Sequence, residues 1–537
     1  MNWTPIWLTI LCILLTEIHS TRQASTTEAD SYLAAVVEYP SKCINNDAPA
    51  TLAENTNQFL RYIKKAGEEN VDIIVFPENG LTTLTLPPKS EMENWTMVVP
   101  SAADNYTPCT GNDSTVSDSL KRISCAAREN HVYVVINVAE IFSPGQEDKC
   151  SESDEVYYYN TNLVFDRTGK IVARYRKTHL FMEPQFSITK EPEIVTFDTD
   201  FGVKFGTFIC FDILFKEPAL NLTRLHGVTD IAYPTAWFSE LPFLTAIQTQ
   251  FGWAFAEDVN LLTAGYNNPI DGNSGSGIYL GRKGLATAIF PRVIHEEMLV
   301  FRVPKVKPKS AQPPKHDKHG ELQPSAAKSS SSSGRIVHDE LRFVRSAEST
   351  DNLTLMQDDF RFYETVVFNG TFAETICYGD FCCDFKVEAS SVDPKMQYRM
   401  VVFDGIRYYG RYAEAGIKVC GLIQCSNDSI TSCGSAEKSE TKFTTINITG
   451  KYDAYDDALV FPNTLDSSLI PFQNWNYDDH KHEDHMHVTM SLKSATNNIV
   501  TFGLYCRDFS RDTMNASAHV APTILTMISF LIICLRL

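Results

Sequence analysis

One stretch of this 537-residue chain limits how the rest can be organised. "KVKPKSAQPPKHDKHGELQPSAAKSSSSSG" (Lys305–Gly334) has almost no apolar side chains and is rich in Pro, Lys and Ser. Such a segment cannot bury enough surface to offset the entropy lost on ordering it. It predicts a disordered linker over 305–338 with a folded unit on each side. The length agrees, because single cores rarely grow beyond about 250–300 residues.

Before the linker, over 21–304, strands alternate with helices. "VDIIVFPE" (Val71–Glu78), "HVYVVINVAE" (His131–Glu140) and "VTDIAYPTAW" (Val228–Trp237) are β-branched runs suited to buried strands. "TLAENTNQFLRYIKKAGEE" (Thr51–Glu69) has the apolar spacing of a helix. "VYYYNTNLVFDRTGKIVARYRK" (Val156–Lys177) reads as a hairpin turning at Thr168–Gly169. This half is expected to be an α/β domain. After the linker, over 339–514, come strands, glycines and cysteines with little helix, the pattern of a smaller cystine-rich β domain.

Both ends are apolar. "WTPIWLTILCILLTEIHS" predicts a secretory signal over 1–20. At the other end, "MNASAHVAPTILTMISFLIICLRL" places small residues before a short spacer and an apolar tail. That order matches a removed glycolipid-anchor signal (516–537), with Asn515 as the attachment residue and Ser517 as the alternative. A tail-anchored or buried C-terminal helix is the competing reading. Acceptor sequons at Asn94, Asn105, Asn112, Asn221, Asn352, Asn369, Asn427 and Asn447 fit a glycosylated ectodomain on the outer face of the cell membrane. The net charge of −19 argues against nucleic acid or an anionic bilayer surface as the partner.

Of the 14 cysteines, Cys12 and Cys534 fall in the segments expected to be removed. Six others crowd one region (Cys377, Cys382, Cys383, Cys420, Cys425 and Cys433), as in a disulfide framework whose connectivity stays open. Cys210 is different. It lies in "KFGTFICFDILF", and no other cysteine occurs between Cys150 and Cys377. A buried thiol acting as a small hydrophobe is one account of it. If Cys210 is free, an odd number of cysteines remains, so at least one more lacks a partner within the chain. "DDHKHEDHMHV" (Asp478–Val488) carries His480, His482, His485 and His487 without ordered ligand spacing, and it is read as a solvated hairpin tip rather than a metal site.

Three chemically capable residues follow apolar strands: Glu78, Lys177 and Cys210. Active sites of open sheets gather at such strand ends. A thiol is a modest nucleophile until a base removes its proton, a carboxylate in a dry pocket can be that base, and an ammonium can stabilise an oxyanion. The trio makes an acyl-transfer site without cofactor or metal.

"FPENG", "ARYRKTHLF" and "GTFICFDILF" resemble the three signature blocks of the nitrilase, or carbon–nitrogen hydrolase, superfamily. "QFSITKEPEIVTFDTDFG", "YPTAWFSELPFL", "SGSGIY", "CYGDFCCDF" and "CGSAEKSETKF" are similar to blocks of its vanin and biotinidase branch. The resemblance implies an α-β-β-α sandwich with Glu78 as general base, Lys177 as oxyanion-stabilising proton donor, Cys210 as nucleophile and the Phe211 amide as a further oxyanion donor. It also implies a small-molecule amide substrate, with pantetheine split into pantothenate and cysteamine. Biotinidase-like cleavage and a catalytically silent surface protein are the alternatives. The segment "NGLTTLTLPP" lacks the family's aromatic Gly-Trp ending. The turn "FMEPQF" is one residue shorter than the family's, so whether Glu183 fills the place of the superfamily's accessory acid stays open.

Overall fold

The computed structural model describes residues 24–144, 156–306, 342–345, 353–409 and 413–514. The expected signal segment, Cys150, residues 307–338 of the expected linker, Asn352 and everything from Asn515 onward lie outside the described residues.

Side-chain alternation builds the first half. In Ser31–Glu38, Ala35 and Val37 face one way while Ala34 and Val36 face the other, and Ile73–Val75 and Tyr133–Phe142 repeat the split. Both faces are buried, so these strands read in sequence as nearly continuous apolar runs. One face packs under the helices Ala48–Glu68 and Asp118–Asn130. The other packs on a second sheet through Phe205, Ala232, Leu262 and Ile278.

The first sheet runs in the order 297–304, 31–38, 73–75, 133–142, 157–165, 171–176, and the second runs 285–289, 276–280, 260–265, 230–235, 204–207, 196–198. Strands 31–38, 73–75 and 133–142 are parallel, as are 204–207, 230–235 and 260–265. "SGSGIY" helps join the sheets. Buried Glu38 of the first accepts hydrogen bonds from Ser276 Oγ and Gly275 N in that block, at 2.5 and 3.1 Å.

The helix Ala246–Glu257 lies on the far face of the second sheet, which completes an α-β-β-α order. It is buried nearly all round, so something must cover its outer side. That cover is the second half of the chain. Gly252 makes the approach possible, since a Cβ there would sit 2.5 Å from Phe461 and 2.8 Å from the Pro462 carbonyl.

The second half forms two five-stranded sheets, with orders 364–367, 397–409, 413–425, 499–514, 458–466 and 371–378, 381–391, 442–453, 485–492, 475–481. Disulfide Cys383–Cys420 links one sheet to the other, Cys377–Cys382 closes a hairpin and Cys425–Cys433 closes a loop. The second half does not have a separate core. One continuous apolar cluster includes Ile247 and Phe251 of the first half with Phe403, Phe461 and Tyr505 of the second. Strand Thr354–Gln357 also pairs in parallel with Glu240–Leu241.

Local expectations mostly hold, with shifted ends. The first helix starts three residues before Thr51, at Ala48, because Asp47 Oδ1 caps the Ala50 amide at 2.8 Å. The 156–177 hairpin forms between Tyr157–Phe165 and Ile171–Arg176, with Gly169 at φ +80° in its turn. The strand read over Val71–Glu78 keeps only Ile73–Val75, since Phe76–Glu78 leaves the sheet to carry the site. Cys210 does not end a strand: the strand stops at Thr207 and Cys210 opens a 3-10 turn, Cys210–Leu214.

Candidate active site

Glu78, Lys177 and Cys210 lie just past strands 73–75, 171–176 and 204–207, and the sheet pairing gathers these ends at one rim. The three are 1, 2 and 5 % exposed. Lys177 Nζ donates to Glu78 Oε1 at 2.7 Å and also to Glu183 Oε2. Glu183 therefore joins the site, although the sequence left its place open. Asn160 Nδ2 bridges the two carboxylates, at 2.8 Å from Glu78 Oε1 and 2.7 Å from Glu183 Oε1. The second Glu78 oxygen accepts the Ala236 amide at 2.8 Å.

The nucleophile candidate is held by its backbone. Cys210 has φ +47°, a left-handed conformation that non-glycine residues adopt only where their surroundings impose it. Asp212 is one of those surroundings. Its Oδ2 accepts the Ile209 amide (3.0 Å) and the Tyr175 hydroxyl (2.7 Å), while Oδ1 accepts the His179 amide (2.9 Å). One buried carboxylate thus ties the Cys210 turn to the segment carrying Lys177. Phe211 lies in the first turn of this short helix, where amides lack intrahelical acceptors, and its N–H meets no backbone acceptor among the described residues.

Residues 33–245 match the carbon–nitrogen hydrolase family and residues 353–512 match the Vanin C-terminal domain. Vanin-like protein 1 of Drosophila melanogaster is 34% identical, covering 94% of this chain and 91% of its own. The pantetheinase of Mus musculus is 31% identical over 93% of both chains, and that of Homo sapiens 30% identical over 91% of both. The chain belongs to the vanin branch of the carbon–nitrogen hydrolases. It is thus an amide hydrolase by family, on a nitrilase-like α-β-β-α sandwich followed by the vanin β domain.

Charge in this vanin site is finely balanced. Burial would strip Lys177 of its proton, but Glu183 and then Glu78 more than offset this and hold the ammonium well above its usual range. Burial also raises Glu183, with Lys177 opposing and Glu78 reinforcing. The Cys210 thiol is raised by burial first and by Glu78 second, while Lys177, Thr235 and Ala236 pull the other way. The resting sulfur is accordingly protonated at neutral pH, so a base must take its proton during reaction. Cys210 opens into a cleft whose wall is half aromatic, including Phe181, Phe211, Trp237 and Tyr409.

Sequence reasoning missed Asn160, Asp212 and the contribution of the second half. Asn160 and Asn162 do leave a trace, two amides on one face of the buried strand Tyr157–Phe165. Asn162 Nδ2 donates to Thr207 Oγ1 at 2.9 Å, and Asn137 Nδ2 to Asn160 Oδ1 at 2.6 Å, so these amides form a network beneath the site.

The other sequence candidates fall elsewhere. Asn94, Asn105, Asn112, Asn369, Asn427 and Asn447 are exposed, and Asn221 is half-buried. His480, His482 and His487 are exposed beside the half-buried His485 at a hairpin end, and no group of three or more His, Cys, Asp or Glu among the described residues is arranged to hold a metal. Besides the three disulfides of the second half, Cys109 pairs with Cys125, and Cys43, Cys210 and Cys506 have no disulfide partner among the described residues.

Proposed function

We propose that this protein is a secreted, glycolipid-anchored amidase that splits pantetheine into pantothenate and cysteamine through a Cys210 thioester. The buried Glu78–Lys177–Glu183 cluster beside the Cys210 thiol carries the reading. Glu78 takes the thiol proton as sulfur attacks the amide carbon. The oxyanion that forms faces the Lys177 ammonium and the Phe211 amide. Collapse expels the amine, which leaves with the proton held by Glu78. Water then attacks the thioester, giving its proton to Glu78, and Cys210 leaves as a thiol when that proton returns. Glu183 and Asn160 fix the Lys177 ammonium and the Glu78 carboxylate in place throughout.

The pantetheinases that align over nine-tenths of the chain support the substrate. The complete set of reacting groups speaks against a catalytically silent protein. Exposed sequons and the two apolar chain ends support secretion and anchoring. The test is amine release by the purified ectodomain from pantetheine, biocytin and simple amides. Cysteamine release from pantetheine is expected, and turnover of biocytin alone would overturn the substrate. Phospholipase treatment of expressing cells should release active protein, and a mature chain retaining "ILTMISFLIICLRL" by mass spectrometry would overturn the anchor.

A further inference from the structure

The cleft beside Cys210 contains one carboxylate that the proposed mechanism does not use. Glu240 lies in its wall, 5 % exposed, among aromatic and aliphatic side chains. Its Oε1 accepts from Arg407 Nη2, which comes from the second half of the chain. Its Oε2 has no hydrogen-bond partner among the described residues, yet it is not one of the fully enclosed polar atoms.

No neighbour among the described residues donates to that oxygen. Arg407 is itself buried, and its Nη1 lies 3.8 Å from Asp358 Oδ2 without a hydrogen-bond partner among the described residues. Its guanidinium also stacks over the Tyr409 ring at 5.0 Å. Tyr409 packs edge-on against Phe211 at 4.9 Å and so closes the cleft next to the reacting cysteine. Two buried carboxylates, Glu240 and Asp358, thus share one guanidinium. A buried carboxylate with an open oxygen is costly unless a donor reaches it. Burial, with Asp358 adding to it and Arg407 opposing, pushes Glu240 up to about 7, which records the same deficit of positive charge.

We infer that Glu240 Oε2 is a specificity contact that accepts a hydrogen bond from a hydroxyl or ammonium carried by the otherwise apolar body of the amide substrate. The inference rests on the amidase reading and narrows its substrate class. Amides bearing a donor on a short apolar chain are favoured, those ending in a methyl group fit without that gain, and those ending in a carboxylate are repelled. The second half of the chain takes part in this selection, because Arg407 holds the other Glu240 oxygen.

The test uses the whole ectodomain and a matched series of acyl cysteamine amides whose acyl chains end in methyl, hydroxyl, ammonium or carboxylate, with pantetheine alongside. For the wild type, kcat/KM should be about tenfold or more higher for the hydroxyl or ammonium member than for the methyl member, as expected for a hydrogen bond to a charged group. The carboxylate member should be the poorest. Comparing the hydroxyl and ammonium arms shows which donor the site prefers. Glu240→Gln puts an amide N–H where Oε2 was, so the donor-over-methyl ratio should fall to about one and the carboxylate member should gain. Wild-type turnover of pantetheine with equal rates across the series, or a preference for carboxylate, overturns the inference and leaves the amidase reading standing. The same holds if Glu240→Gln keeps the wild-type ratios. If that variant fails to fold, the wild-type series decides by itself. No turnover of any amide, pantetheine included, overturns both.

Discussion

Two buried ion clusters flank the same cysteine, and each sets two carboxylates around one cation. In Glu78–Lys177–Glu183 the cation is a compact ammonium within hydrogen-bond distance of both acids, and Asn160 bridges them. In Glu240–Arg407–Asp358 the cation is a guanidinium, close to one acid and 3.8 Å from the other. An ammonium among carboxylates and a thiol can exchange protons with them, whereas a guanidinium keeps its charge at any working pH. The first cluster is built to move protons. In the second the cation keeps its charge, and the cluster shapes a wall.

The largest effect should come from removing what the first cluster serves. Cys210→Ala is expected to lower amide turnover by more than about 10³-fold while the protein still folds, since it deletes the nucleophile and little volume. Residual activity above about one per cent of wild type would remove Cys210 from the mechanism.

Next is the cation of the second cluster. Arg407→Met leaves Glu240 and Asp358 buried without their guanidinium, and breaking a buried pair in this way costs about 3–5 kcal/mol. Denaturant unfolding of the protein should show that loss. An unchanged midpoint would mean that the cluster is solvated and not a fixed wall.

Within the first cluster, Lys177→Arg keeps the charge but cannot place one compact donor at the same point, and a loss of about 10²-fold is expected, as for a missing oxyanion donor. Glu78→Gln should fail at another step. Because the thiol rests protonated, this variant should slow alkylation of Cys210 near neutral pH, while Lys177→Arg should leave it closer to wild type. Equal alkylation of wild type and Glu78→Gln would shift the role of base to another group.

The same contrast explains what could be read from the sequence. Glu78, Lys177 and Cys210 announce themselves as reactive side chains directly after apolar runs, where packing alone would call for more hydrophobes. Asn160 sits inside such a run, where a polar residue looks like an outward-facing position until a second sheet is known to cover it. The left-handed backbone of Cys210 leaves no mark in residue type, because glycine or asparagine is the usual sign of that conformation. Glu240 and Arg407 are 167 residues apart, and their pairing exists only because strands of the second half dock on the first. Periodicity reports faces of single elements and carries nothing about such a contact. The Pro-, Lys- and Ser-rich segment marks where the chain changes composition, but it hides that one apolar cluster spans both halves.

The smallest effect concerns pH, and it separates the clusters without any activity assay. Glu240 is raised by burial, with Arg407 opposing, from its usual 4.5 to about 7. Below pH 4.5 the carboxyl is protonated in both folded and unfolded chains, so it contributes no pH dependence. Between 4.5 and 7 the unfolded chain releases this proton while the folded one retains it, so the folded state loses stability as pH rises, by on the order of 1 kcal/mol per unit. Above about 7 both forms are ionised and the loss is complete. Glu240→Gln does not titrate, so its stability relative to wild type should improve steadily from pH 4.5 to 7 and then level off. Any cost of disturbing Arg407 shifts the whole curve and leaves that slope intact. Thermal unfolding of both proteins across this range measures it. Parallel profiles would show that Glu240 is ionised throughout, with its charge met by a partner other than Arg407.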